Sequence, residues 1–226
     1  MRGVRPQHTR ADMPTTLILY GLSRSVYTRI ARLVLEEKGV AYALQDVEIF
    51  GPSGVPVEHL ARHPFGRIPV LADGEHQLYE TAAICRYVDE SFPGPNLQPS
   101  TSIDRARMVQ AIGILDSYAY RPMVWGVFVQ RVSLPLRGGT TDEQAVAKSL
   151  QLVETALDAL ASLQGPDPYL VGQSLTLADL HAYPMLKYLS LTPDGEATVA
   201  ARPQLNEWLA RIDQRPSVQR TRSQYE

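Results

Sequence analysis

The sequence predicts an α/β domain followed by an all-α domain. Three observations carry that reading. Short apolar runs alternate with helical periodicity up to about Ser91. The stretch SFPGPNLQPS, Ser91 to Ser100, holds three prolines and a glycine and reads as a linker. Beyond it no strand pattern recurs, only helical stripes.

Leu17-Ile18-Leu19-Tyr20 is a short apolar strand. Ser25 to Lys38 is a helix, with Val26, Ile30, Leu33 and Val34 at helical spacing and Gly39 as its stop. Tyr42 to Val47 is a second strand, and Pro56 to about Arg62 a weak helix. Val70 to Ala72 and Gln77 to Tyr79 flank Asp73-Gly74, a hairpin signal. Thr81 to Glu90 is a helix. The order β-α-β-α-β-β-α makes a small mixed sheet covered by helices.

In the second half, Ile103 to Tyr120 reads as a helix broken at Arg121-Pro122, with Trp125 to Arg131 as its resumption. Asp142 to Leu163 carries the stripe Val146, Leu150, Val153, Leu157 and Leu160, and Gly165-Pro166 ends it. Thr176 reads as an N-cap with the Asp179 carboxylate three residues on, and Leu175 and Leu180 as a hydrophobic staple. A last helix runs from Pro203 to Gln214 with Leu205, Trp208, Leu209 and Ile212 inward. The expected organisation is a disordered extension at 1–14, with Met13 as an alternative start, an α/β domain at 15–91, a linker at 92–102 and a helical domain at 103–226.

Bulk properties narrow the function. Of 226 residues 44% are hydrophobic and 20% charged, an ordinary globular balance. A net charge of −2 gives no electrostatic footprint for nucleic acid or a membrane surface. No apolar run approaches the ~20 residues of a membrane span, and the polar N-terminus lacks the core of a secretory signal. The single cysteine, Cys85, excludes an internal disulfide and a Cys-x-x-Cys site, which fits a reducing, cytoplasmic location. No metal site is expected.

Four stretches then point further: Tyr20-Gly21-Leu22-Ser23-Arg24-Ser25, His63-Pro64-Phe65-Gly66-Arg67-Ile68-Pro69, Tyr79-Glu80-Thr81-Ala82-Ala83-Ile84 and Leu170 to Asp179. In this order and spacing the chain resembles the cytosolic glutathione S-transferase family over about Leu17 to Thr221, in its serine-type branch, phi-like or a related bacterial class. The resemblance implies a thioredoxin-like first domain, a helical second domain, a homodimer, and a role in detoxification. It implies glutathione as co-substrate, with no covalently bound cofactor, and a small, largely apolar electrophile as the other partner.

It also implies a cis bond before Pro69, which would leave the backbone of Ile68 free to pair with an extended tripeptide. Glu80 and Thr81, at a helix start, would meet the γ-glutamyl end, and Arg67 the glycine carboxylate. The thiol must ionise. Lowering its pKa from ~8.5 by ~2 units takes about 2.7 kcal/mol of preferential thiolate stabilisation. The hydroxyl donors between first strand and first helix are Tyr20, Ser23, Ser25 and Tyr27. The family's serine falls on Ser25, with Ser23, where relatives have proline, and Tyr20 as runners-up. Cysteine-type thiol exchange is not expected, because Cys85 sits among core positions of a later helix. Leu22, Tyr118, Arg121 and Trp125 are expected to border the electrophile. His59 and His63 read as surface histidines. The competing functions are a non-catalytic glutathione or apolar-ligand binding protein on the same fold, and a glutathione-dependent isomerase or dehalogenase.

Overall fold

The computed structural model describes residues 17–226. The extension read at 1–14 lies outside the described residues.

Four strands form one sheet in the order β2-β1-β3-β4: β1 Leu17–Gly21, β2 Tyr42–Asp46, β3 Val70–Asp73 and β4 His76–Leu78. β1 runs parallel to β2 with Leu17 opposite Tyr42, and antiparallel to β3 with Leu19 opposite Leu71. Asp73 pairs with His76 across the hairpin, where Gly74 takes φ +60°. Alternation along β1 sends Leu17 and Leu19 into the main core. Tyr20, on the opposite face, joins a small cluster with Leu22, Val47, Ile49 and Ile68.

The helix α1 (Val26–Glu37) buries Val26, Ile30, Leu33 and Val34. Ser25 caps its amino end and Gly39 leaves it at φ +66°. Lys38 then ties α1 to the end of the first half and the linker after it. Its buried Nζ donates to the Asp89 carboxylate at 3.1 Å and to the Asp89 and Pro95 carbonyls at 3.0 Å. A Cβ at nearby Gly94 (φ +124°) would meet the Lys38 carbonyl at 3.0 Å, so a side chain there is doubly excluded. The short α2 (Val57–Arg62) and α3 (Thr81–Ser91) complete this half.

The helical half begins with α4 (Ser102–Ile114). The break expected at Arg121-Pro122 does not occur. The chain continues through wide helical turns over Leu115–Ala119 and Arg121–Ser133. The turns close by i→i+5 bonds, such as Tyr120 N–H to Leu115 and Leu134 N–H to Val129. A proline removes one i→i+4 donor, and wide turns are one way for a helix to pass it. Then come α5 (Glu143–Gln164), α6 (Leu177–Ser190), α7 (Pro193–Ala200), α8 (Pro203–Asp213) and α9 (Pro216–Arg220). The sequence reading missed α7 and α9, both short and opened by proline.

The helix α6 is the hub. Asp179, fully buried, accepts from the Thr176 N–H and hydroxyl at 2.7 and 2.8 Å, from Leu170 N–H at 2.8 Å and from Trp208 Nε1–H at 2.8 Å. One carboxylate thus joins the preceding loop, the α6 cap and α8. Apolar residues of α1, α3 and α6 share a single core, so the two halves pack as one body.

Candidate functional site

A cleft of about 580 Å³ opens between the sheet's loops and the wide helix. Four stretches reach it from the first half: Ser25 and Tyr27 at the start of α1, Ile49-Phe50 after β2, His63 with Arg67-Ile68-Pro69 before β3, and Glu80-Thr81-Ala82 at the start of α3. The helical half contributes Asp116, Tyr120, Arg121 and Trp125. The fold brings together Ser25, Arg67, Ile68, Pro69, Glu80, Thr81, Arg121 and Trp125 from the expected set.

Ser25 sits at φ −77°, ψ 128° as N-cap of α1, and its Oγ accepts the Thr28 N–H at 3.3 Å. Among the described residues no acceptor takes its hydroxyl hydrogen. That hydrogen is free to donate to a ligand beside the positive end of the helix.

The peptide bond Ile68–Pro69 is cis. Ile68 lies ahead of β3, so its N–H and C=O fall outside the ladder, while its side chain is buried against Leu22 and Val47. Glu80 holds φ +66° as the N-cap of α3, a left-handed position for a residue with a side chain. Such strain costs about 1–3 kcal/mol and gathers at ligand clamps. Thr81 follows, buried, with the free amide end of α3 behind it.

Four expected residues stand elsewhere. Tyr20 lies on the far face of β1, its ring 4.3 Å beneath the Arg62 guanidinium. Ser23 is an exposed turn residue that does not line the cleft. Leu22 is buried with Val47 and Ile68 rather than open to the cleft. Tyr118 opens onto a second groove of about 750 Å³ between the wide helix and α5. Arg121 and Trp125 border that groove as well as the cleft, and Tyr118 meets them only on the side turned toward α5. In wide turns residues five apart align, pairing Asp116 with Arg121 and Tyr120 with Trp125, so Asp116 and Tyr120 reach the cleft instead.

Tyr27 hydroxyl donates to Asp116 Oδ1 at 3.0 Å, and the buried His181 Nε2 contacts the same oxygen at 2.8 Å. Burial first, and then the Asp116 charge, push the Tyr27 phenol far above its ordinary range. It stays protonated and committed to Asp116. Burial likewise raises Tyr120, whose oxygen accepts the Trp125 Nε1–H at 3.0 Å. Ile49 and Phe50 close the outer wall, with the Phe50 ring 6.0 Å from Trp125. Arg24 pairs with Glu48, which also accepts the Phe50 N–H at 2.8 Å, so that wall is tied to the loop preceding Ser25.

The two histidines are not at the surface. His59 is wholly buried and its Nε2 meets the Arg67 carbonyl at 2.7 Å. The loop carbonyl needs a donor away from water, which draws the ring inward. His63 is 3% exposed and lines the cleft. Burial lowers its pKa, Glu80 partly opposing and His59 and Arg67 assisting. Cys85 is buried in the core, where burial pushes its thiol well up. Among the described residues no His/Cys/Asp/Glu cluster could hold a metal ion.

Sequence reading missed Asp116, Tyr120, Ile49, Phe50 and His63. Phe50 carried a signal, an aromatic in a Gly/Pro/Ser loop. Asp116 and Tyr120 carried none, because their phase depends on the wide turns.

The arrangement combines an uncommitted hydroxyl at a helix end, an open backbone edge, an acidic residue beside a helix N-terminus, a guanidinium and an aromatic wall. It suits an extended, zwitterionic, thiol-bearing peptide next to an apolar partner.

Known proteins resemble this chain in sequence and in fold. Residues 19–96 match the family described as glutathione S-transferase, N-terminal domain, and residues 143–211 its C-terminal domain. Glutathione S-transferase F6 of Arabidopsis thaliana is 32% identical over 204 residues, covering 89% of this chain and 97% of that protein. The structure of a glutathione S-transferase III in apo form superposes with a TM-score of 0.81 at 33% identity, over 91% of this chain and 95% of that one. A maize glutathione S-transferase I solved with an atrazine glutathione conjugate gives 0.78 at 28% identity, over 91% and 96%.

Proposed function

The chain belongs to the glutathione S-transferase family and is a transferase that conjugates glutathione to small electrophiles; from that premise we propose how its own residues perform the transfer. Ser25 donates its hydroxyl hydrogen to the glutathione sulfur and holds it as thiolate. The free N–H and C=O of Ile68 pair with the cysteine of the tripeptide. Glu80 takes the γ-glutamyl ammonium, Thr81 and the α3 amides take its carboxylate, and Arg67 takes the glycine carboxylate.

The thiol proton leaves to solvent as Ser25 and the α1 end favour the anion. The thiolate then forms a bond to the electrophilic carbon. A leaving group departs with its electron pair, or the electrons of an activated double bond shift onto its acceptor. Proximity and charge stabilisation supply the rate. Phe50, Tyr120 and Trp125 offer the electrophile an aromatic wall.

The observation that carries this reading is the uncommitted Ser25 hydroxyl at the mouth of α1. Of the four hydroxyl donors between β1 and α1, Tyr27 is the other that lines the cleft, and it is engaged by Asp116. The test is the ultraviolet thiolate absorbance of bound glutathione titrated from pH 5 to 9. Wild type should ionise it well below its free pKa. Ser25→Ala should bind glutathione and lose that shift, with kcat/KM down about 10- to 100-fold, the range of one hydrogen bond to a charge. Binding without any shift in wild type favours the non-catalytic carrier, and a shift that survives Ser25→Ala moves the role to another donor.

We propose further that the protein is a homodimer serving detoxification in the cytoplasm. Phe65, exposed at 72%, and the second groove with exposed Tyr118 and Leu152 support self-association, as large apolar side chains in solvent mark interaction surfaces. Light scattering across a dilution series checks the dimer, and cell fractionation the location.

A further inference from the structure

We propose that His63 is an additional glutathione-binding residue, its Nε2–H donating to the glycine carboxylate of the tripeptide alongside Arg67. The inference rests on the glutathione reading above.

His63 is held rigidly. Its backbone N–H donates to the His59 carbonyl and its carbonyl accepts from Gly66, both at 2.8 Å. Its ring lies against Tyr79 at a tilt of 36°, centroids 4.7 Å apart, and meets the Phe65 ring edge-on at 6.1 Å. Nδ1 accepts the Phe65 N–H at 3.3 Å, which places the ring proton on Nε2. Among the described residues, nothing accepts from that Nε2–H. A donor on a side chain 3% exposed, lining a cleft and left without a partner, is the signature of a group that waits for a ligand.

The surroundings choose the ligand's end. The charged and titratable groups around the ring are Glu80, His59 and Arg67, with the Tyr79 phenol ring against it. Burial keeps the imidazole neutral, so it offers a donor and no charge of its own. His63 and the Arg67 guanidinium together are donors only. The γ-glutamyl end carries an ammonium and needs an acceptor, which Glu80 is. The glycine end carries a carboxylate alone and matches the donor pair. His59 strengthens the pairing by gripping the Arg67 carbonyl at 2.7 Å, so His63 and Arg67 sit on one fixed loop.

The test compares S-methylglutathione with S-methyl-γ-glutamylcysteine, which lacks the glycine. Calorimetry measures both on wild type, His63→Asn and His63→Gln. Asn can keep an acceptor for the Phe65 N–H but places no donor where Nε2 stands, whereas Gln sets an amide N–H₂ near that point. His63→Asn should weaken S-methylglutathione about tenfold, with His63→Gln within about threefold of wild type and the truncated ligand changed less than about twofold. In the wild-type protein, the His63 Nε2–H nitrogen-correlated NMR signal should move downfield with S-methylglutathione and stay in place with the truncated ligand. Unchanged affinity in His63→Asn, an equal loss for both ligands, or an unmoved Nε2–H signal overturns the assignment. A wild type that binds neither ligand overturns the glutathione reading itself, a result distinct from any His63 effect.

Discussion

The Tyr188 hydroxyl in α6 donates to the Arg24 carbonyl at 2.8 Å, across 164 positions of sequence. Arg24 immediately precedes Ser25, so the core helix of the second half grips the loop that presents the proposed donor. Tyr188 is 2% exposed and burial lifts its phenol to about 12, which keeps the donor protonated at working pH.

Tyr188→Phe removes that one bond and little volume. The expected loss is about 1 kcal/mol of stability, or roughly 2–4 °C in Tm for a chain this size. kcat/KM should fall by up to about fivefold as the Ser25 loop loosens, most of it in kcat. A lower Tm with unaltered kinetics would mean that Tyr188 serves packing alone.

The aromatic wall gives a second expectation. Phe50 and Trp125 face each other at 6.0 Å across the mouth, one from a loop and one from the wide helix. Phe50→Ala removes one side of that pair, about 0.5–1.5 kcal/mol beyond lost area. Steady-state kinetics with an aryl chloride should show KM for the electrophile raised several-fold and KM for glutathione unmoved. Equal rises in both would place Phe50 outside the electrophile site.

Acid stability gives a third. Glu37, at the end of α1, receives Arg215 Nε and Nη2 at 2.7 Å each and the Ser217 hydroxyl. Burial alone would raise its pKa, but the Arg215 and Ser217 hydrogen bonds outweigh it and hold the carboxyl below its ordinary 4.5. The native state therefore binds fewer protons than the unfolded one. The stabilisation is fully present above about pH 4.5 and is lost as pH falls through the folded value. Guanidinium melts at pH 7 and below pH 4 should show this drop, and Glu37→Gln should flatten it while costing about 1.5–3 kcal/mol at pH 7. A Glu37→Gln profile parallel to wild type would remove the ion pair from the account.

Much of the fold was legible because local rules and tertiary packing agree. Val26, Ile30, Leu33 and Val34 recur at helical spacing and all four are buried. The Asp73-Gly74 turn joins β3 to β4, with Gly74 at positive φ. Thr176 and Asp179 make the α6 cap. The order of elements and the mixed sheet could be read from such patterns. The site was legible where a turn or a helix start defines it, as at Ser25, Ile68-Pro69 and Glu80-Thr81.

By itself, the sequence determined the α/β-then-α architecture and the stretches that would flank a peptide-like ligand, because periodicity, caps and turns act over a few residues. Only the tertiary structure decided which side chains enter the cleft. Asp116 and Tyr120 joined it because i→i+5 turns bring them into line with Arg121 and Trp125, a phase that residue spacing does not reveal, while Tyr118 faces the groove beside α5. His59 and His63 went inward because a loop carbonyl and a loop N–H, fixed only after the chain folds back, needed partners there.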